Sequence, residues 1–373
     1  MARQLAWIAA LLLLGFAAAA RPKWHELEGY TFERYIKDFG KPHRRGTVEH
    51  AKRKALFEAA LARVQQHNSE GHSWKKGVNK FSDWTPEELK SLRGLKRSMK
   101  QHVQTAPERI HTVASAGGAP LPKFVDWRTA NPPVLTAVKD QGQCGSCWAH
   151  AATESIESHV AIATGELYVL SQQQITSCTP NPQECGGSGG CNGAIAELAF
   201  DYIKGKGQQQ EWTYPYTSYH GNSGTCQAIT EPVVNISGYT KVAHNDADAV
   251  AHALAHAGPL AISVDASEWS DYETGVYSGC KYNISMDHAV QAVGYGFDYG
   301  LGVDYWIVRN SWSPGWGEAG YIRLLRTPGN TECGWNVDPG NGDGCKGQTA
   351  PEWACGMCGI AYDTLYPNFA KLN

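Results

Sequence analysis

The stretch Gln141–Ala149 reads Gln-Gly-Gln-Cys-Gly-Ser-Cys-Trp-Ala and decides how this chain of 373 residues folds. Its second cysteine, Cys147, opens a run without glycine or proline that ends at Gly165, which predicts a helix beginning at the thiol. Backbone N–H groups and the helix macrodipole favour negative charge at a helix N-terminus and lower the pKa of a thiol placed there. The stretch therefore predicts a reactive thiolate at Cys147.

The order Cys-Gly-Ser-Cys-Trp over residues 144–148 resembles the active-site segment of the papain family of cysteine proteases. The resemblance implies an α+β, papain-like fold of two lobes, with a helical prodomain in front of them. One lobe would be helical around the Cys147 helix, and the other would be an antiparallel, β-barrel-like sheet. The active site would be the cleft between the two lobes.

Two further segments supply the partners that a catalytic thiolate needs. His288 enters an apolar, β-branched run, which is typical of the mouth of a buried strand, and Asn310 ends the strand-like run 305–310. Both segments resemble those of the same family, which implies that His288 is the base and that Asn310 orients it. Trp312 would shield their hydrogen bond at the edge of the substrate site, and Gln141 would donate its side-chain amide to the oxyanion.

The cysteine count predicts disulfides, because eleven cysteines leave one free thiol among paired ones. The family resemblance implies the pairs Cys144–Cys191, Cys178–Cys226 and Cys280–Cys358. The four cysteines that remain allow three different pairings of two bridges, and the sequence does not choose between them. These four are Cys185, Cys333, Cys345 and Cys355.

Other interpretations of the cysteines and histidines are disfavoured. Cys144 and Cys147 form a Cys-x-x-Cys pair, which also occurs in redox and zinc sites. No βαβ pattern precedes it, and a zinc site shared with the pair at 355–358 would span over 200 residues. His252 and His256 lie one helical turn apart, but without a third ligand they are interpreted as a surface helix face. Neither a cofactor nor a metal is expected.

The N-terminus indicates export. A positively charged start, an apolar run over 5–16 and four alanines at 17–20 describe a secretory signal peptide at 1–20. A membrane anchor is disfavoured because the run is shorter than the ~20 residues that a span needs. The chain is expected in a lysosome, a vacuole or the extracellular space, without membrane association. Two sequons, at Asn235 and Asn283, are candidate glycosylation sites.

Residues 21–118 are interpreted as an inhibitory prosegment. Helical patterning predicts one amphipathic helix over 24–39 and a second over 50–64. Two motifs resemble those in the prosegments of cathepsin L-like proteases. The first comprises Glu49, Arg53, Phe57, Val64 and Asn68 at helical spacing, with Ala60 where the family usually has asparagine, and the second is Gly77-x-Asn79-x-Phe81-x-Asp83.

Charge divides the chain at the same boundary. Residues 21–118 hold 20 Lys and Arg against 11 Asp and Glu, a net charge of +9, whereas residues 119–373 hold 12 against 25, a net charge of −13. The loose residues 114–120 predict a cleavable linker, so the peptidase domain is placed at 119–373. The two parts should attract each other, and acid would weaken that attraction. The near-neutral total gives no indication of nucleic-acid binding.

Residues 191–195 resemble the glycine-rich strand that binds substrate backbone, with Gly193 followed by Ala194 in place of a second glycine. The resemblance also implies a pocket for the residue two before the scissile bond, with Asp363 at its floor. Asp363 predicts that this pocket takes arginine as well as large apolar side chains, unless its carboxylate faces solvent. The implied pocket residues are Ile195, Ala196, Ser263, Met286 and Asp363.

Together the motifs predict a cysteine endopeptidase that is made as an inhibited zymogen and activated at acidic pH. Its partners would be protein and peptide substrates, its own prosegment and cystatin-like inhibitors, and it is expected to be a monomer. Two alternatives come from other classes. A non-catalytic homologue that binds peptides or inhibits proteases is disfavoured by the intact catalytic residues, and a Cys-His acyl transferase is disfavoured by the prosegment motifs and Asn310.

Overall fold

The structure is a computed structural model, and it describes residues 21–95, 109–280, 283–327, 329 and 332–372. The predicted signal peptide at 1–20 and residues 96–108, ahead of the predicted linker, lie outside these ranges. Within them, every helix is too short or too polar to cross a membrane.

The described helices are α1 (Phe32–Asp38), α2 (Val48–Ser69), α3 (Pro86–Ser91), α4 (Cys147–Thr164), α5 (Gln172–Cys178), α6 (Ala196–Lys206) and α7 (Ala247–His256). The described strands are β1 (Trp74–Lys76), β2 (Arg109–His111), β3 (Val125–Asp126), β4 (Val234–Val242), β5 (Leu260–Val264), β6 (Tyr272–Tyr277), β7 (Asn283–Ile284), β8 (His288–Asp298), β9 (Val303–Arg309), β10 (Tyr321–Arg326), β11 (Cys333–Asn336), β12 (Glu352–Cys355) and β13 (Thr364–Leu372). One sheet has the order β1-β6-β10-β9-β8-β5-β13-β4-β2, with β3 paired to β8, and a second has the order β12-β11-β7.

Helix α4 is the axis of the helical lobe. It begins at Cys147, as the sequence predicts, and ends where Gly165 adopts a left-handed φ of 78°, which glycine tolerates. Residues 147–161 are buried on every face of the helix, because α5, α6, β8 and β13 pack around it. The apolar cluster that includes Trp148 and Phe200 therefore fixes the position of the thiol.

Strand β8 carries the other half of the cleft. It begins at His288, is buried as far as Gly296, and pairs antiparallel with β5 and β9. Since β9 ends at Arg309, Asn310 follows at the same end of the sheet as His288. The predicted α+β architecture is confirmed, although β2–β4 and β6–β10 are parallel pairs. Both pairs join strands that lie far apart in the chain, since β2 lies ahead of the predicted linker and three strands separate β6 from β10.

The start of the prosegment differs from the prediction. The single helix expected over 24–39 is wrong, because Trp24–Glu26 form a short 3-10 turn and Gly29 takes a left-handed φ of 66°. Helix α1 begins only after Thr31, whose side chain caps it. The second helix, α2, is longer than the predicted 50–64.

The motif residues of the prosegment join α2 to α3. Phe57 and Val64 are fully buried in the prosegment core. Arg53 contacts Glu49 at 2.6 Å and makes two hydrogen bonds of 2.6 Å to the Glu88 carboxylate. The Arg53 guanidinium lowers the pKa of Glu88 to about 2. This bidentate pair therefore stays charged over the acidic range in which a zymogen would be activated.

Strand β1 docks the prosegment on the peptidase sheet. Trp74 lies opposite Gly275 of β6, and its ring packs on Tyr277 with centroids 4.4 Å apart. Gly275 has a φ of 98°, and a Cβ there would lie 2.5 Å from the Ser73 carbonyl oxygen, so the contact requires glycine. The opposite net charges of residues 21–118 and 119–373 led us to expect attraction between them. Three ion pairs join the described parts of these two regions. These pairs are Lys80–Asp140, Arg93–Asp287 and Arg63–Asp271.

Candidate active site

The cleft brings Cys147 and His288 together from opposite lobes. Helix α4 packs on β8, and the Cys147 Sγ atom accepts the backbone N–H of Ala289 at 3.4 Å. The thiol is fully buried, and it is the one cysteine in the described residues outside a disulfide. Two residues 141 positions apart in the sequence thus occupy one site.

His288 is oriented by its neighbours. Its Nε2–H donates to the Asn310 Oδ1 atom at 2.8 Å, and the same oxygen accepts the backbone N–H of Ser311 at 2.8 Å. The Trp312 ring stacks on the imidazole with centroids 4.8 Å apart, which keeps water from the hydrogen bond. The buried Nδ1 atom of His288 has no hydrogen-bond partner among the described residues. The hydrogen bond at Nε2 therefore orients the ring, and Nδ1 remains available for proton transfer.

Gln141 is held with its amide N–H groups directed into the cleft. Its Oε1 atom accepts the Ser311 hydroxyl at 2.6 Å, and its Nε2 group donates to Cys144 O at 2.8 Å. A second donation from Nε2, of 2.7 Å, goes to the carbonyl oxygen of Leu92 in the prosegment. Sequence reasoning missed Ser311 as a positioning residue. Its place directly after Asn310 is the only sequence signal that pointed to it.

The prosegment backbone crosses the cleft at residues 92–95. The backbone N–H of Gly94 donates to Cys147 Sγ at 3.2 Å, and that of Leu95 donates to Asp287 O at 3.1 Å. The sulfur therefore faces an amide N–H rather than a carbonyl carbon. The segment occupies the site of a substrate without presenting an electrophile to the thiol.

Burial decides the protonation of the catalytic pair. It raises the pKa of Cys147 to about 11, against the opposing effect of the N–H groups of Ala289 and Gly94. Burial also lowers the pKa of His288 to about 3, although Asn310 favours the charged ring. Both groups are neutral at physiological pH in this state. In this state desolvation outweighs the N-terminus of α4 and favours the thiol of Cys147 over the thiolate expected from the sequence.

The sequence matches known families over both parts of the chain. Residues 121–340 match the description "Papain family cysteine protease", and residues 32–89 match "Cathepsin propeptide inhibitor domain (I29)". The chain belongs to the papain family of cysteine proteases. Its prosegment belongs to the cathepsin propeptide type, so the predicted family and the predicted zymogen organisation are confirmed.

Curated relatives and solved structures agree with this assignment. Digestive cysteine proteinase 1 of Homarus americanus is 35% identical over 345 residues, which cover 89% of this chain and 98% of that protein. Oryzain beta chain of Oryza sativa subsp. japonica is 39% identical over 333 residues, which cover 87% of this chain and 63% of that protein. Digestive procathepsin L 3 of Tenebrio molitor larval midgut has a TM-score of 0.71 at 30% identity, covering 91% of this chain and 99% of that one.

Five disulfides brace the papain-family domain within the described residues. The structure contains the three bridges that the resemblance implied, Cys144–Cys191, Cys178–Cys226 and Cys280–Cys358. It pairs the remaining four as Cys185–Cys345 and Cys333–Cys355. The last two bridges tie the segment 333–355 both to itself and to the helical lobe.

Residues 191–195, expected to form the strand that binds substrate backbone, form only a single bridge from Asn192 to Gly145, and they lie against the prosegment. Gly193 has a φ of 92°, and a Cβ there would lie 1.5 Å from the Gly94 carbonyl oxygen. Only glycine allows so close an approach. Ala194 is fully buried in the apolar cluster around α4.

Asp363 lies at the expected cavity, and its carboxylate is paired within the protein. A cavity of about 450 Å³ extends from Ile195 to Asp363, but the carboxylate is buried and already paired. Ser263 donates its hydroxyl at 2.8 Å, and Lys241, which also contacts Glu197 at 2.6 Å, donates at 3.0 Å. Burial raises the pKa of Asp363, but the Lys241 ammonium outweighs it and brings that pKa below its usual value. Asp363 therefore lines the cavity, as expected, with a carboxylate that already accepts hydrogen bonds from Lys241 and Ser263.

The cavity has a wall that the sequence did not reveal. Asp343 and Cys345, in the segment 333–355, line it together with Ile195 and Asp363. Three expected residues do not line it. Met286 is fully buried beneath that segment, Ala196 starts α6, and Ser263 is buried with its hydroxyl on Asp363. The Cys185–Cys345 bridge explains this change, because it holds the insertion over the pocket.

His252 does not lie on an exposed helix face, which is where the sequence placed it. His256 is exposed, but His252 is buried, and its Nδ1 atom lies 3.1 Å from Nε2 of His111, which lies in the predicted prosegment. The Nδ1 atom of His111 lies 3.1 Å from the Tyr366 hydroxyl. The pairing of β2 with β4 creates this contact, which no local pattern could indicate.

Gly94→Ala is expected to weaken inhibition. The new Cβ would lie 2.2 Å from the Gly145 carbonyl oxygen and 2.8 Å from Cys147 Sγ. Overpacking of this kind costs about 1–3 kcal/mol, so the population with an open cleft should rise about 5- to 150-fold. The measurement is the rate at which a small alkylating agent labels Cys147 in the full-length zymogen at neutral pH.

Ser91→Ala, in the same prosegment but outside the cleft, serves as the matched control and should label like the unchanged protein. Equal labelling rates for the Gly94 variant and the unchanged zymogen would contradict the close contact.

Proposed function

We propose that the mature enzyme hydrolyses peptide bonds through a Cys147 thiolate and a His288 imidazolium, supported by Asn310 and Gln141. The observation that carries this proposal is the hydrogen bond from the Gln141 amide to the Leu92 carbonyl beside the thiol. A donor that binds an amide carbonyl at this point in the zymogen is placed to bind the oxyanion of a substrate.

Release of the prosegment would reverse the protonation of the pair. Opening the cleft to water removes the desolvation that raises the pKa of Cys147 and lowers that of His288. The N-terminus of α4 then favours the thiolate, and the thiolate favours the imidazolium. Activation in this account changes the charges in the site while its backbone stays in place.

The reaction follows from this ion pair. The thiolate attacks the peptide carbonyl carbon, while the Gln141 amide and the Cys147 backbone N–H bind the developing oxyanion. His288 gives its proton to the leaving amine, which leaves a thioester on Cys147. Water then attacks the thioester as His288 accepts its proton, and the carboxylic acid product departs as the thiolate returns. Asn310 holds the imidazole of His288 in one orientation throughout. The second ring nitrogen of His288 therefore stays available to the sulfur of Cys147.

Covalent labelling tests this assignment. An epoxysuccinyl inhibitor should add once to the processed protein, on Cys147 by peptide mapping, and should abolish hydrolysis of a fluorogenic peptide. Cys147→Ala should show neither labelling nor hydrolysis. Labelling without any hydrolysis would favour the non-catalytic homologue, and transfer of the acyl group to an added amine in place of water would favour the acyl transferase.

The remaining assignments are proposals of the same kind. Disulfide-rich proteins of this family are typical of the secretory pathway, and we place the mature enzyme in a lysosome, a vacuole or the extracellular space. We propose a signal peptide at 1–20, a prosegment at 21–118 and a monomeric peptidase at 119–373 that cystatin-like proteins inhibit.

Acid would release the prosegment through His111. Burial and the nearby His252 and His256 lower the pKa of His111, and burial and His256 lower that of His252. The other group facing His111 is Tyr366, whose ring also stacks on His159. A histidine that protonates less readily when docked than when free stabilises the docked state above its free pKa of about 6.5. That stabilisation is lost as the pH falls below this value.

His111→Gln keeps hydrogen-bonding groups at this position but cannot take a proton. It should therefore slow autoprocessing below about pH 6.5, where the normal residue is driven to undock, and change it little above that pH. The measurement is the rate of zymogen conversion across pH 4–7. His25→Gln, an exposed prosegment histidine, is the control, and an unchanged pH profile in His111→Gln would rule out this residue as the sensor.

The pocket beside Ile195 supports a preference for a large apolar residue two before the scissile bond. Leu95 of the prosegment packs against Ile195 and the Cys185–Cys345 bridge, so this wall is apolar. A substrate arginine would have to compete with Lys241 for Asp363. The charge at the pocket floor is therefore already compensated.

Phe-Arg dipeptide substrates should be cleaved at least tenfold more efficiently than Arg-Arg substrates, a difference of about 1.4 kcal/mol. Lys241→Gln should raise the relative kcat/KM for Arg-Arg, because it leaves Asp363 without its cation. Lys206→Gln, an exposed lysine on α6, should leave the ratio unchanged. Equal turnover of both substrates by the unchanged enzyme would contradict the apolar preference.

A further inference from the structure

The small sheet of β7, β11 and β12 carries an exposed row of three residues. Trp353 lies opposite Trp335, and Trp335 lies opposite Asn283. Residues directly opposite each other in a sheet point to the same face. All three are exposed, whereas Ile284, Gly334, Asn336 and Ala354, which alternate with them along the strands, are buried. One face of this sheet therefore presents an asparagine and two indoles in line.

The indoles are unusually open to solvent. Trp335 is 47% exposed and Trp353 is 43% exposed, and their rings contact each other edge to face with centroids 4.9 Å apart. Val337, two residues beyond Trp335, is 55% exposed. Contiguous apolar surface of this kind marks an interaction site. The Cys333–Cys355 bridge closes the hairpin and holds both strands in this register.

Asn283 shows what covers this surface, because it starts the sequon Asn-Ile-Ser at residues 283–285 and is itself exposed. N-linked glycans are attached to the side-chain amide of such an asparagine in secreted proteins. We propose that Asn283 carries an N-linked glycan and that its first sugars pack on Trp335 and Trp353.

Strand spacing matches this arrangement. Neighbouring strands lie about 4.8 Å apart, so Trp335 adjoins the attachment point and Trp353 lies one strand farther along the same line. A pyranose ring presents C–H groups on its faces, and the electron-rich face of an indole attracts them. The hydroxyl groups at the ring edges stay in water. The glycan would thus remove apolar indole surface from solvent and stabilise the hairpin.

The second sequon provides a matched control. Asn235 lies in β4 opposite Lys371 of β13 and is only partly exposed. Its Oδ1 atom accepts the backbone N–H of Ile236 at 2.9 Å. The residue opposite it is a lysine rather than an indole, so a glycan at Asn235 would not have the same platform.

The test uses the full-length zymogen with Cys147→Ala, secreted from a eukaryotic host, so that processing does not interfere. Glycopeptide mass spectrometry should find Asn283 occupied. Asn283→Gln should lower the Tm by about 2–4 °C and speed hydrogen–deuterium exchange over 333–355. In a background carrying Trp335→Ser and Trp353→Ser, removal of the sequon should change neither quantity, and Asn235→Gln should leave the exchange of 333–355 unchanged.

An unmodified Asn283 would overturn the proposal. Equal losses of Tm from Asn283→Gln with and without the indoles would also overturn it, because the glycan would then act without the tryptophans. If the double tryptophan variant is not secreted, Trp335→Ser alone provides the comparison, because it removes the indole beside the attachment point. Trimming the glycan to its first sugar should keep the protection of the hairpin, and loss of protection on trimming would contradict packing by that sugar on Trp335.

Discussion

The contact between Gly94 and Cys147 sets the state of the whole cleft. The prosegment amide donates to the sulfur at 3.2 Å, and the carbonyl of nearby Leu92 takes the Gln141 donor. Because this backbone covers the thiol, burial outweighs the helix N-terminus, and both Cys147 and His288 are uncharged. Inhibition is therefore electrostatic as well as steric. The nucleophile and its base are already in the site, but neither carries the charge that the reaction needs.

The crossing segment stays in the cleft because the prosegment is anchored on both sides of it. Before the crossing, β1 adds to β6, and Phe81 packs edge to face on Trp312 with centroids 5.8 Å apart. After it, β2 adds to β4 and places His111 against His252. The first anchor is mainly apolar, whereas the second contains two histidines that acid can charge. This difference suits a zymogen that is stable at neutral pH and opens in acid.

The sequence indicated the catalytic residues because each lies in a local pattern that chemistry requires. A thiol at a helix start, a histidine entering a buried strand and an asparagine ending the next one can be recognised without a structure. The sequence did not indicate contacts between distant segments. Lys241 lies 122 residues from Asp363, and His111 lies 141 residues from His252, so neither partner appears in any local pattern. The helix expected over 24–39 failed for a local reason, since apolar periodicity does not register the left-handed turn at Gly29.

The most direct test of this account is the pH dependence of Cys147 alkylation by iodoacetamide, compared between zymogen and processed enzyme. If burial keeps the thiol neutral, the processed enzyme should react rapidly and almost independently of pH from mildly acidic to neutral solution. The zymogen should react slowly and accelerate continuously toward alkaline pH, without a plateau in the neutral range, as expected for a thiol whose pKa is about 11. Parallel pH profiles that differ only by a constant factor would contradict the account, because they would mean that the prosegment blocks access without changing the charge of Cys147.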